Sequence, residues 1–349
     1  MVSARTAAPP PVGIPAPLPH DDRPHKKKKG PRRDSGQDRP ADGERPRERA
    51  KGWHRIWVAL FLAPFLVLYL GFTLWPLAAT VYYSFFDWSG SGPVEDYVGA
   101  GNYSSILTDE LFWLAVANTL IFAVLTTVIK LPLSLIAAVL FTRKWLRGKK
   151  FFRTTFFAPL IIPVAMAGLV FTYLLNPSNG ALNALLRDIG LIDESVDVFA
   201  SRWSALIALV LISVWQVFGQ YVIYWMAAIQ NVPEELYEAA ELDGATEWQK
   251  LTRITLPVIK PVAVVILLLG LVNAMHVFGL VVTLTGGGPG TSTYVVSYFI
   301  YDRAFGTVPF AYGYASAAAL LFSVIAFLIV MSQGFFVRRA QKLRKEYGV

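Results

Sequence analysis

Charged residues are missing from long parts of this chain. Five stretches, residues 56–86, 154–186, 203–233, 261–301 and 304–337, contain no Asp, Glu, Lys or Arg. Each exceeds the ~20 residues that cross a bilayer as a helix. A sixth stretch, Trp113 to Phe141, is apolar apart from Lys130. The pattern predicts spans near 56–79, 113–141, 156–176, 205–228, 262–284 and 312–337. Where an uncharged run exceeds one span, its ends continue into segments rich in Gly, Pro, Ser and Asn. Outer-membrane barrel strands alternate over ~10 residues and give no runs of this length. The expected fold is an all-α polytopic membrane protein with six transmembrane helices.

Composition agrees. Of 349 residues, 54% are hydrophobic and 16% charged, and mean hydropathy is +0.46. Soluble domains carry roughly 25% charged residues, so an ordinary soluble enzyme is excluded. The absence of cysteine excludes a disulfide scaffold. The net charge of +8 is distributed by side. The termini and the 142–154 and 229–261 loops hold 28 Lys and Arg, and the other side holds Arg187, Arg202 and Arg303. By the positive-inside rule both termini are cytoplasmic, and the basic excess reports topology rather than a nucleic-acid surface. Residues 1–52 read as a disordered, Pro-rich basic tail carrying Lys26–Lys29 and Arg32–Arg33, solvated or held weakly to anionic lipid. Residues 341–349 read as a short cytoplasmic tail. No cleaved signal peptide is expected, because the first apolar run exceeds a typical signal core.

The cytoplasmic segment 231–260 carries the strongest local pattern. Pro233 suits a first helical position, and Glu234 and Glu235 complement the positive end of that helix. Leu236, Tyr237 and Ala240 give it an apolar side. Asp243–Gly244 stops it, since glycine closes helices in the left-handed conformation. Thr246 caps a second helix with Gln249 as its capping-box partner. Trp248, Leu251 and Ile254/Thr255 mark its apolar side, and Pro257 is expected to end it. Ala239, Ala240, Gly244 and Ala245 leave room for a partner to approach. Six acidic residues between 234 and 247 argue against a membrane-surface helix, which favours Lys and Arg. A protein partner is the better reading.

Glu238-Ala-Ala-x-x-Asp243-Gly244, followed by Ile254-x-Leu256-Pro257, resembles the EAA loop of binding-protein-dependent ABC importer permeases. The resemblance covers roughly residues 55–340. It takes in Leu146-Arg-Gly-Lys-Lys-Phe-Phe-Arg153, Leu175-Asn-Pro177 with Gly180 and Asn183, and Thr285-Gly-Gly-Gly-Pro289, which is similar to the carbohydrate, maltose-type branch. It implies that Glu238, Ala239, Ala240, Asp243, Gly244, Ile254, Leu256 and Pro257 couple the chain to a cytoplasmic ATPase. It also implies a second permease subunit, two ABC ATPase subunits, an extracytoplasmic sugar-binding protein, a sugar cargo and a bacterial cell membrane. ATP and Mg would be bound by the ATPases. The chain itself has no G-x-x-x-x-G-K-[ST] phosphate loop, no metal-ligand cluster, no expected cofactor and no expected nucleic-acid partner. It is not expected to be an enzyme.

Polar residues inside spans are costly and therefore candidate pathway residues. Trp215, Gln216 and Gln220 fall in the fourth span, Asn273 and His276 in the fifth. By the resemblance, Trp215, Gln216, Val217, Gln220, Gly270, Asn273, Ala274 and Val277 occupy sugar-contacting positions, with residue types that mostly differ from the maltose permease. Gly279 stands where the carbohydrate branch commonly has Asp. The amides read equally as hydrogen bonds between spans, worth ~0.6–2 kcal/mol, and His276 reads more readily as a satisfied packing residue. Lys130 is expected to snorkel to the cytoplasmic interface. Pro159 and Pro163 suggest a bent third span. Trp75, Trp88 and Trp113 fit one aromatic belt, and Trp53, Trp57 and Trp145 the other. Rival readings are a glycerol-3-phosphate or small-solute permease of the same family, which would want pathway cations, and a stand-alone secondary transporter. The latter would want carboxylates within the spans and an internal repeat; the sequence has neither.

Overall fold

The structure is a computed structural model that describes residues 49–142, 148–306 and 308–346. The basic clusters of the N-terminal tail, and Trp145 of the second aromatic belt, lie outside the described residues. The chain divides into two units, residues 1–63 and 64–349. The described part of the first is helical, the opening of α1 (Arg49–Tyr69). In the second, a π-helical turn at Leu70–Leu74 leads into α2 (Trp75–Tyr83). There follow α3 (Gly101–Thr108), α4 (Glu110–Thr142), α5 (Lys149–Ile161), α6 (Val164–Leu174), α7 (Ala181–Asp188) and α8 (Arg202–Gln230). The remainder comprises α9 (Glu234–Leu242), α10 (Glu247–Lys250), α11 (Leu256–Met275), α12 (Gly279–Leu284), α13 (Val296–Tyr301) and α14 (Tyr312–Glu346). No strand forms among the described residues, only an isolated Phe86–Tyr97 bridge.

Five helical stretches are long and apolar enough to cross a bilayer: Trp57–Tyr83, Glu110–Thr142, Arg202–Gln230, Glu247–Met275 and Tyr312–Ser332. The pair Thr154–Ile161 and Val164–Leu174, bent by 104°, makes a sixth. Each predicted span overlaps an apolar helical stretch of this set, and the stretch at the third is bent. Its break is the work of Pro163, which pushes the preceding residue out of the helical region; Ile162 has ψ 124°.

The fifth span differs from expectation at both ends. Pro257 does not end the second loop helix. It sits at the start of α11, where the π-helical turn before it accommodates the missing N–H. A π-helical turn at Leu251–Thr255 joins α10 to α11, and the Leu256 N–H reaches the Leu251 carbonyl across it. The loop helix and the span are thus one rod, Glu247–Met275. At the far end the helix stops at Met275 rather than continuing to 284, and α12 resumes after a break at 276–278. His276 Nδ1 lies 2.8 Å from the Val272 carbonyl and occupies one of the orphan acceptors of this terminus.

Between helices in lipid there is little hydrophobic drive, so small residues and polar fasteners hold the bundle. Ala115, Ala123, Ala138, Ala205, Ala317 and Ala318 are fully buried at its contacts. α4 packs along α8 and α11, α5 on α8, α6 on α12, and α14 on α2, α3 and α13. Gly219 of α8 admits α5, since a Cβ there would lie 2.5 Å from the Phe156 carbonyl oxygen. One core cluster gathers Ile106, Phe112, Phe122, Leu206, Met275, Leu280 and Phe299. The second, towards the 231–255 loop, gathers Leu131, Tyr221, Trp225, Ile229, Ile259 and Ile266. Large apolar side chains such as Phe72, 80% exposed, face outwards, as lipid-facing residues must.

Candidate functional site

The 231–255 loop folds as two helices at a corner. Pro233 precedes α9 as its N-cap, and Glu234 and Glu235 occupy its first turn. α9 ends at Leu242, and Gly244 turns the chain with φ +73°, a conformation that side chains with a Cβ rarely adopt. Thr246 and Gln249 form the reciprocal capping box: the Thr246 N–H donates to Gln249 Oε1 at 2.7 Å, and the Gln249 N–H to Thr246 Oγ1 at 3.3 Å.

Lys250, which the sequence reading passed over, and Tyr237 and Thr255, which it placed on apolar sides, lock the corner. Lys250 is 5% exposed and donates from α10 to Glu241 on α9 at 2.7 Å and to Glu247 at 3.0 Å. Tyr237 and Thr255 share a hydrogen bond of 2.8 Å. The Glu247–Lys250 spacing of three residues was a readable helix pair; the bond to Glu241 crosses the corner and was not. Ile254 and Leu256 pack against the inner core.

Trp248 does not lie on an inward apolar side. It is 71% exposed, and Leu242 is 90% exposed. Glu238, Ala239, Asp243 and Gly244 are exposed between them, with Ala240 half-buried. The corner therefore offers two large apolar side chains beside small residues and carboxylates. Along α9, Glu234, Tyr237, Glu238 and Glu241 line an open cavity of about 510 Å³ against Val139 and Thr142 of α4 and Ile229 of α8.

The candidate pathway residues separate into two groups. Trp215 is 41% exposed and meets Phe171 edge-on at 5.3 Å; Asn273 and His276 are also exposed. Gln216 is 7% exposed and donates to the Ile162 carbonyl at 3.1 Å, so it serves the acceptor freed by the bend of the third span. Gln220 donates to the Tyr224 hydroxyl at 2.8 Å. The pathway candidates still open to a ligand are Trp215, Asn273 and His276.

Lys130 does not snorkel. It is 2% exposed, its ammonium 3.4 Å from the Gly270 carbonyl and 4.0 Å from the centre of the Tyr221 ring. Those two contacts, a backbone acceptor on α11 and a π face on α8, suit an ammonium better than stretching ~18 Å of helix to Thr142.

Opposite the loop, the 285–296 segment is tied to α4. Asn118 donates to the carbonyls of Ser292 and Tyr294, both at 2.8 Å, and accepts from Arg202 at 2.7 and 3.2 Å. The Val296 N–H donates to Thr119 at 3.0 Å. Tyr294 donates to Asp302 at 3.3 Å, and burial first, then the Asp302 charge, pushes its phenol up to about 12.

Comparison with known proteins follows the same lines. Residues 130–342 match the family model of the binding-protein-dependent transport system inner membrane component. The chain is 36% identical over 287 residues to the probable ABC transporter permease protein YurN of Bacillus subtilis, covering 81% of this chain and 96% of that protein. It is 32% identical to the diacetylchitobiose uptake system permease protein NgcF of Streptomyces coelicolor, over 83% and 86% of the two chains. Among solved structures it resembles a bacterial ABC transporter for import of the acidic polysaccharide alginate, with a TM-score of 0.72, 29% identity and coverage of 83% and 98%. A bacterial alginate ABC transporter in complex with an alginate pentasaccharide-bound periplasmic protein gives a TM-score of 0.73 at 27% identity. The chain belongs to the binding-protein-dependent transport system inner-membrane components, as a multi-pass permease of a carbohydrate ABC importer in the bacterial cell membrane.

Proposed function

We propose that this permease forms one half of a transmembrane pathway for an oligosaccharide, completed by a second permease chain and driven by two cytoplasmic ATPases. Both termini and the 231–255 loop are cytoplasmic, and a sugar-binding protein delivers cargo to the opposite face. The observation that carries this reading is the rigid corner at Gly244, presenting Leu242 and Trp248 to solvent. Because α10 runs through the π-helical turn into α11, a push on the corner acts along the rod that ends beside Asn273. Closure of the ATPases would tilt that rod and alternate the opening of the pathway. Glu238, which makes no ion pair among the described residues, is available for a basic residue of the ATPase. Trp215, Asn273 and His276 offer the aromatic face and hydrogen-bonding groups that a sugar needs. Relatives are named for diacetylchitobiose and lactose transport but also for sn-glycerol-3-phosphate, and what favours a sugar is that Trp215, Asn273 and His276 bring no Arg or Lys to the exposed positions.

The test is purification from the native membrane in gentle detergent, wild type against Leu242→Asp with Trp248→Ser. An ATPase carrying a phosphate loop and a second six-span protein should accompany the wild type, and the ATPase should be lost from the variant. Wild-type chain that purifies alone and moves sugar in liposomes without ATP would refute the reading.

A further inference from the structure

The one charge buried at mid-span is left without a role by the coupling loop and by the exposed pathway residues. Lys130 sits 2% exposed where α4, α8 and α11 meet. By helix rise, Gly270 lies ~21 Å from the start of α11, so the site is near the middle of the bundle. No carboxylate stands near it: among the described residues the spans hold only Glu110, at the far end of α4, and Glu247, at the start of the α10–α11 rod. The ammonium is held by the Gly270 carbonyl and the face of Tyr221. The Tyr221 hydroxyl beyond is itself buried, and the side chain within its reach is that of the exposed Asn273.

Burying an unpaired cation is among the costliest placements in a membrane protein, and packing alone would be better served by Met or Leu. What such a charge supplies is a field. In a low-dielectric wall its potential reaches well beyond contact distance, and Gly270, which the ammonium touches, lies three residues from Asn273 on α11. We infer that Lys130 makes the middle of the pathway electropositive and so keeps small cations from crossing while a sugar-sized opening forms. A neutral or acidic sugar passes this field; sodium, potassium and hydronium meet a barrier, as at other pores that fix a positive charge in the wall. The Tyr221 ring and the Gly270 carbonyl hold the ammonium at a fixed depth, behind the wall rather than in the opening, so the charge repels without obstructing. The inference rests on Asn273 facing the pathway.

The experiment uses the whole importer, permeases and ATPases, in liposomes with the binding protein and ATP, with potassium and iodide fluxes read alongside sugar uptake. Lys130→Met should raise potassium leak during turnover at least several-fold while sugar uptake stays within about two-fold, and Lys130→Arg should restore the tight state. In wild type, whatever leak remains should favour iodide over potassium, a reading that does not depend on any variant folding. A wild-type leak favouring potassium, or a Lys130→Met complex that assembles and stays as tight as wild type, overturns the inference. Asn273→Ala tests the underlying pathway separately: unchanged sugar uptake there removes the pathway reading, whatever Lys130 does.

Discussion

Single residues in this molecule do different work from neighbours of the same type. Gly244 and Gly219 are both required to be small, for unlike reasons. A Cβ at Gly219 would strike the α5 backbone, whereas one at Gly244 would meet nothing within 4 Å of the chain. At Gly244 the constraint inside the chain is φ +73°, which Asn tolerates and Ala resists by about 1–2 kcal/mol. Gly244→Asn should therefore leave the melting temperature of the permease unchanged, and Gly244→Ala should lower it. If the ATPase surface seats against this corner, both variants lose co-purifying ATPase. Full ATPase recovery with Asn would show that Gly244 serves the turn alone. The two candidate amides separate in the same way. Gln216→Ala strands the Ile162 carbonyl at the bend and should cost about 1–3 kcal/mol, visible as a loss of assembled complex. Asn273→Ala should leave assembly intact and lower sugar uptake, measured with the same liposomes.

At the scale of elements, the fastenings are polar because lipid offers apolar faces no preference for one another. Asn118 is the fastening of the 285–296 segment. In Asn118→Asp a carboxylate replaces the donor to the Ser292 and Tyr294 carbonyls while keeping the acceptor for Arg202. Amides 287–296 should then exchange hydrogen faster, with ATPase binding at the other face unaffected. Nearby, the raised Tyr294 phenol makes alkali a second probe. Its contribution to stability is intact below about pH 10 and is lost as pH rises towards about 12; Tyr294→Phe should flatten that part of an alkaline denaturation curve. The apolar helices, the Gly244 corner and the Thr246–Gln249 box were legible in the sequence, because each depends on local spacing. Pro257 was misread because a proline starts a helix as readily as it stops one, and the π-helical turn before it has no local signature. Lys130 was misread because snorkelling follows from depth along one helix, whereas its actual partners, Tyr221 and Gly270, come from two other spans. Asn118 and Lys250 escaped notice for the same reason: their partners are distant in sequence or across a corner.

Among the described residues two helical courses break, at Pro163 and at 276–278, and the helices that follow the breaks are paired. α6 follows the bend at Pro163, α12 follows the break at 276–278, and the two pack together. Thr172 donates to the Thr283 carbonyl at 3.1 Å, and Gly168 lies so close to Thr283 that a Cβ would clash. Breaks of this kind place hinges at the middle of the bundle, with α6 and α12 on one side and the continuous rods α4 and α8 on the other. If the pathway opens by swinging the paired halves as one body, the α6–α12 contact must persist through the cycle while the α6–α8 contact between Phe171 and Trp215 opens. The natural absence of cysteine gives a clean background for testing this. Thr172→Cys with Thr283→Cys, oxidised, should leave ATP-driven uptake close to that of the reduced form. Phe171→Cys with Trp215→Cys should reach a much lower uptake on oxidation and recover it with reductant, provided the cross-link forms in the resting state. Uptake that survives the second cross-link would mean the halves stay fixed to α8. Alternation would then have to come from the whole permease rotating against its partner chain, with the coupling rod Glu247–Met275 carrying α8 along with it.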